Sequence, residues 1–570
     1  VDRYYFEANI EPIHEIRELP EEEISLGFSA KNRVEVDFIR HFESANEATR
    51  ARPYFAKNLP LNSEKALSGL LPSDLVMMKS RLGLMVKGRF FHDLGLKEAG
   101  FELEAWYLIA GEFQVHVLRL GDSKVRLKLI GLRNDEQGVK ASVSFLSELK
   151  VFKVRRVDER ITELLDLKPI VLTWTKSTNS LFLVDYELSL ADPQVREAFD
   201  KTMKNATRFS DGSLVDPRKT VEQIRDSVIL DLAALEEIAK EDSILAEPRV
   251  KRSFKGTAHS RLKESEIKIG VRFLKSTTNT KNSMNRIVAV DKDEKESYFL
   301  MDSHQRKVDS SFGFGWLRLQ TENELNALYS TDSKFETRAL ENLIFSSERF
   351  DKSFREREFN QVKRQLSQSL PQAIVKDLPL QKWNPAGLEK IQNVAVTTQV
   401  VLHPTLFAQL PSLNRRQLTQ EYFRYLETLP WEGLARNRNP GSGNTDVERL
   451  FSEEVDRIVR RLYVVFSNGV SVEDKAEAIM NLRNSRLFRQ TGLGFLASFV
   501  SPQVLDQHVR VDFLIESNPK NAVQYAFGQK EAHPLYRRIL YLQSILHKDG
   551  LDIRLESEGI KLREIRAARP

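Results

Sequence analysis

The sequence predicts an α+β fold. An antiparallel β-meander (a sheet, sandwich or partial barrel) occupies the N-terminal part with a helical insertion, and a mainly α-helical C-terminal domain follows. Three observations carry this reading. Apolar and polar residues alternate over 101–157, the period turns helical after Asp192-Pro193, and helical spacing returns beyond residue 322. A chain of 570 residues exceeds one hydrophobic core, since cores stop growing at roughly 250–300 residues. The expected division is therefore a β-rich domain over 1–190 and a helical insertion or linker over 191–250. A smaller β unit over 251–321 either completes the first sheet or stands beside it, and a mainly helical domain over 322–570 ends in a strand pair.

RYYFEANI (3–10) and RVEVDFIRHF (33–42) read as strands. Over 43–80, Pro53, Pro60 and Pro72 interrupt any long element. Phe101, Leu103, Ala105, Tyr107 and Ile109 then share one face, with Glu102 and Glu104 on the other. Expected turns at Ala110-Gly111, Gly121-Asp122-Ser123 and Asn134–Gly138 separate this run from Phe113–Val117, Val125–Leu129 and Val139–Phe145. Connections so short exclude parallel crossovers, so the strands run antiparallel. Segments 149–157, 169–175 and 180–190 extend the sheet.

Val195, Phe199 and Met203 recur at helical spacing, as do Val221, Ile224, Val228, Leu232 and Leu235. Strands resume at 266–274, 286–290, 297–301 and 314–319. Beyond 322, Leu340, Leu343, Phe350, Phe354, Val362 and Leu366 trace a helical stripe for which Asp332 or Ser333 supplies the cap. Further helices are expected over 412–429, 444–467, 472–484, 502–516 and 534–547, with alternation again over 551–563.

Composition narrows the chemistry. The absence of cysteine excludes thiolate nucleophiles, disulfides and Cys-ligated metal clusters. It also fits an oxidising compartment. With Val1 following a cleaved signal peptide, the expectation is an exported protein of the periplasm or cell surface, associated with a bacterial cell envelope. No run approaches the ~18 apolar residues of a membrane-spanning helix. A balance of 86 basic against 81 acidic residues, formally +5, does not point to nucleic acid.

Catalytic and cofactor signatures are absent from the sequence. Gly441-Ser442-Gly443, followed by Thr445 as a helix N-cap, lacks the Lys-Ser/Thr pair of a phosphate loop. The same glycines lack the spacing of a nucleophile elbow. No His pair has the i, i+4 spacing of a helical zinc site, and Asp291 and Asp293 lack the glycine and distant Glu of a calcium loop. The basic run 349–364 reads as a solvated helix face opposite Phe350, Phe354 and Phe359, with Asp351, Glu356 and Glu358 cutting its charge. No catalytic residue, cofactor or metal ligand is therefore assigned. The candidate binding residues are Trp106, an aromatic on the polar side of its strand, and Gly441, Gly443 and Thr445 at a helix start. The expected function is a non-enzymatic binding or scaffold protein with a protein or envelope component as partner. A carrier of lipid or another hydrophobic ligand, curled around a cavity, is one alternative. A polysaccharide hydrolase working through a carboxylate pair is the other.

Overall fold

The computed structural model describes residues 2–10, 23–93, 99–145, 170–206, 232–271, 274–312, 317–378, 391–403, 414–429 and 446–529, apart from short breaks within these ranges, and a few single positions, among them Ile539 and Leu542. Fourteen strands form one sheet in chain order, each antiparallel to the next. The first six are β1 (Asp2–Ile10), β2 (Glu23–Ile39), β3 (Leu75–Asp93), β4 (Ala99–Gly121), β5 (Lys124–Phe145) and β6 (Ile170–Ser189). The next five are β7 (Val250–Val271), β8 (Leu274–Val290), β9 (Glu296–Phe312), β10 (Leu317–Thr331) and β11 (Arg338–Phe354). β12 (Ile391–Leu402), β13 (Val509–Glu516) and β14 (Val523–Phe527) complete it.

The meander is thus present, with longer strands than the sequence reading gave. Ala110-Gly111 is no turn: β4 runs through it, and Ala110 and Gly111 oppose Asn134 and Arg133 of β5 in mid-sheet. The segment 134–138 likewise lies inside β5. The turn between them is Asp122-Ser123, both at positive φ (41° and 59°), which suits a tight hairpin. β7 pairs with β6, so the strands of 251–321 continue the first sheet. Segment 149–157 lies outside the described residues.

The region beyond 322 differs most from expectation, because it supplies most of β10 and all of β11–β14. The stripe from Leu340 to Phe354 belongs to a strand, and the helix begins only at Glu356. Asn342, Leu343, Ile344 and Phe345 are all buried, so β11 is covered on both faces and does not alternate. The basic run 349–364 is divided between that strand and that helix. Residues 509–516, expected as helix, form β13 with Val509, Val511, Phe513 and Ile515 inward. Only the four residues Leu505–His508 before it are helical.

Eleven α-helices are described. The N-terminal group is α1 (Ala45–Arg50), α2 (Ser63–Ser68), α3 (Pro193–Ala206) and α4 (Ala233–Glu241). The C-terminal group is α5 (Glu356–Ser369), α6 (Gln372–Asp377), α7 (Arg415–Glu427), α8 (Asp446–Phe466), α9 (Val472–Asn484), α10 (Leu493–Ala497) and α11 (Leu505–His508). A π-helical turn, Phe488–Gly492, leads into α10.

Both groups pack on the same sheet face. Register places Phe38, Val76, Val117, Leu127 and Tyr186 in one cross-strand row, which Ala66, Val195, Phe199, Met203 and Leu235 cover. The same face passes through Phe182, Thr257, Val288 and Tyr298. It reaches the row Leu325, Phe345, Val400 and Val511, covered by Val362, Tyr422, Ile458, Ile479 and Phe495. Burial of a full apolar side chain is worth about 1.5–3 kcal/mol, so these two cores fix the helices to the sheet. Gly131 marks how close the fit is: a Cβ there would come within 2.1 Å of the Phe182 ring.

The opposite face is enclosed and largely polar. Asp185, Lys128, Ser260 and Asn285 are fully buried on it, beside an apolar layer that includes Ile130, Leu181, Leu183, Ala258, Ile287 and Met301. Ile539 and Leu542, both helical, pack against that layer.

Near the β1 edge, Asp37 ties three strands together. It accepts from Arg3 Nε of β1 at 2.5 Å and from Lys79 Nζ of β3 at 2.8 Å. Burial alone would raise the Asp37 carboxyl, but the hydrogen bonds and charges of Arg3 and Lys79 outweigh it and hold it below its ordinary value. A depressed carboxylate contributes stability that is fully present above the unfolded pKa and is lost as pH falls through the folded value. Asp37→Asn is expected to cost about 1–3 kcal/mol at pH 7. Urea midpoints of the two proteins should converge as pH falls below 3.8; a difference that stays constant over that range would refute this assignment.

Candidate functional site

Between the two helical groups, the helix-bearing face carries a cavity of about 500 Å³ over β7–β9. Its floor follows from strand register. His259 opposes Arg286, Arg261 opposes Met284, and Thr257 opposes Val288, which in turn opposes Tyr298. Side chains two apart along a strand share a face, so His259, Arg261 and Arg286 are carried to the same opening as Met284 and Tyr298.

The β10–β11 turn supplies the wall. Asp332 accepts from the backbone N–H of Lys334 (3.1 Å) and Glu336 (2.9 Å), and its carbonyl accepts from Phe335 N–H (3.0 Å). These bonds hold Phe335 at φ 61°, a left-handed conformation that a bulky residue adopts only when its surroundings impose it. The ring is thereby presented to the cavity. It meets Tyr298 edge-on at 5.8 Å, and the Arg286 guanidinium lies 5.4 Å from its centroid.

The polar groups are held as well. His259 Nδ1 and Ser180 Oγ are 2.8 Å apart. Tyr298 donates to Glu296, and that bond, ahead of burial, raises the phenol above its usual value. Among the described residues lining the cavity, Glu296 is the acid and Arg261 and Arg286 are the cations, with His259 beside them. Such a lining attracts an anionic group and offers two aromatic rings to an apolar or planar body.

Of the residues singled out from sequence, only Trp106 is described, and it lies elsewhere. Trp106 is half-buried on the face opposite the helices, so the helical insertion does not cover it. Its Nε1 donates to Glu136 at 3.1 Å, and its ring occupies the space above Gly138, where a Cβ would come within 2.1 Å. Gly441, Gly443 and Thr445 lie outside the described residues; the helix they were expected to open, α8, starts at Asp446. Trp106 does not line the cavity. His259, Arg261 and Arg286 escaped the sequence reading because alternate charged residues in a strand resemble an ordinary solvated face. Only the register shows that they converge.

Among the described residues, no group of three or more His, Asp or Glu stands where it could share a metal ion. No described helix is long and apolar enough to cross a membrane. No family model and no curated protein matches this chain.

Proposed function

We propose that this chain is a non-enzymatic binding protein of the cell envelope, and that the cavity over β7–β9 holds an amphiphile with an anionic group. One observation carries the reading: Arg261, Arg286 and His259 converge with Tyr298 and Phe335 on about 500 Å³ of space, within the range of small-molecule sites. The anionic end faces the guanidinium groups, and the apolar or planar end lies against the rings.

Organic extraction of the purified protein, followed by mass spectrometry, tests the proposal. Wild type should release one species of reproducible mass. Arg286→Ala and Phe335→Ala should retain at least about tenfold less per folded chain, as expected for loss of a charge-assisted contact or an aromatic anchor. A protein recovered empty from its native source, or variants as loaded as wild type, would refute the cavity's role. Fractionation of the source cells tests the location, and recovery solely in the cytoplasm would contradict it.

A lipid as that amphiphile draws support from a different observation. On the helix-bearing face beyond the N-terminal helices, Leu103, Ala141, Leu172 and Ile267 form one cross-strand row, with Ala105, Val139 and Trp174 beside it. Tyr107, Val139, Trp174 and Ile267 are exposed there, and contiguous apolar surface of this kind suits contact with lipid.

A further inference from the structure

A second cluster of cations lies under α9, apart from the cavity. α9 rests against β9 and β10. Near its N-terminus Lys475 lies 6.0 Å from the centroid of the Tyr329 ring, and its last turn carries Arg483. Arg483 is 2% exposed. Its Nη1 donates to Asn484 Oδ1 at 3.0 Å, whereas Nε and Nη2 are buried without a hydrogen-bond partner among the described residues.

A position near a helix C-terminus favours a cation only weakly. Burying an unpaired ion costs far more than a helix end returns, so the helix end alone does not account for this arginine. Its charged neighbours make matters worse. Burial first, then Arg306 of β9 and Arg489 of the π-helical turn, pull the Arg483 pKa down to about 10. His304 lies two residues from Arg306 on the same face of β9. Its Nδ1 and Asn282 Oδ1 are 2.9 Å apart, while its buried Nε2 has no partner among the described residues. Three arginines and a histidine from three elements thus converge, and the strongest charges acting on the buried one are also positive.

The ground beside them is polar. Register places Arg306, Asn323, Ser347 and Thr398 in one row across β9–β12 on the helix-bearing face. Arg489 meets the end of that row at a small cavity of about 30 Å³, lined also by Ser347 and Thr398. Guanidinium groups and hydroxyls are the donors that bind phosphate-class oxyanions, with arginine suited to two-point contact. π-helical turns, which here set Arg489 against the sheet, recur at functional sites.

We propose that Arg306, Arg483 and Arg489, with His304, form a binding site for a multiply charged oxyanion of the phosphate class. The anion supplies the acceptors that Nε and Nη2 of Arg483 lack. This inference does not depend on the reading of the cavity over β7–β9.

Equilibrium dialysis of the full chain against radiolabelled orthophosphate tests it, with a short-chain phosphatidic acid, below its micelle concentration, as a parallel ligand. One equivalent per chain of either should bind, and the tighter of the two identifies a free anion or a lipid headgroup as the source. Arg483→Met and Arg489→Gln should each weaken binding at least about tenfold, the loss expected from one charge-assisted contact. Arg424→Gln, an exposed arginine of α7, should leave it unchanged. Arg483→Met removes an uncompensated buried charge, so in phosphate-free buffer it should melt no lower than wild type and remain a folded reporter. The proposal is overturned if neither ligand binds stoichiometrically, if Arg483→Met and Arg489→Gln bind as well as wild type, or if Arg424→Gln is equally weakened.

Discussion

Asp185→Ala is expected to lower stability by about 3–5 kcal/mol, the loss seen when one partner of a buried ion pair is removed. Asp185 is fully buried on the enclosed sheet face, and its two oxygens accept from Arg126 Nε at 2.9 Å and Nη2 at 2.8 Å. Lys128 of β5, opposite Asp185 in the register and also fully buried, adds a second cation to the neighbourhood. Removing the carboxylate leaves both cations in a low-dielectric interior with less compensation, and this penalty exceeds the packing that so small a side chain provides. The double variant Arg126→Met/Asp185→Leu removes the pair as a unit, so it should be more stable than Asp185→Ala alone. Urea unfolding followed by circular dichroism measures all three proteins. A loss under about 1 kcal/mol for Asp185→Ala would mean that water reaches this face of the sheet.

Much of the fold was legible because strand alternation is an arithmetic property of the sequence. Phe101 to Ile109 and Phe113 to Val117 carry apolar residues at odd positions, as do Val125 to Leu129 and Val139 to Phe145, so the parity on either side of Ala110-Gly111 and of 134–138 is the same. Unbroken parity means unbroken strand, which is why the two expected turns are absent. Burial on both faces hides the signal. At Asn342–Phe345 no residue faces solvent, alternation disappears, and leucines and phenylalanines spaced three or four apart imitate a helix. Segment 472–484, with one covered side, matches α9 residue for residue.

Neither proposed site was legible, for a different reason. His259 and Arg286 are 27 positions apart, and Arg306 and Arg483 lie on a strand and a helix separated by nearly the whole C-terminal helical group. No local spacing relates them. They meet because β7–β9 pair in a fixed register and because α9 docks where β9 turns its charged residues outward. A glycine loop such as 441–443 is conspicuous in one dimension, while a site assembled across strands has no one-dimensional signature.

Phe495→Ala should cost about 3–5 kcal/mol, the range for truncating a fully buried phenylalanine, and it should loosen the turn that carries Arg489. The Phe495 ring lies 4.2 Å from that of Tyr422, 5.1 Å from Phe499 and 6.0 Å from Tyr425. Tyr422, fully buried on α7, also shares a hydrogen bond with Thr491 Oγ1 at 2.8 Å, and Thr491 in turn donates to Leu487 O at 2.8 Å. Phe495 therefore packs the tyrosine that fastens the π-helical turn. Truncation opens a cavity beside Tyr422 and gives that ring room to leave Thr491. Hydrogen exchange should then accelerate at the amides of 488–492 well before it does in β4 and β5, whose core is separate. Tyr422→Phe deletes only the hydroxyl and should cost about 1 kcal/mol, so the pair separates packing from hydrogen bonding. Equal losses for Phe495→Ala and Tyr422→Phe, or exchange that accelerates uniformly along the chain, would show that the turn is held by something other than this aromatic cluster.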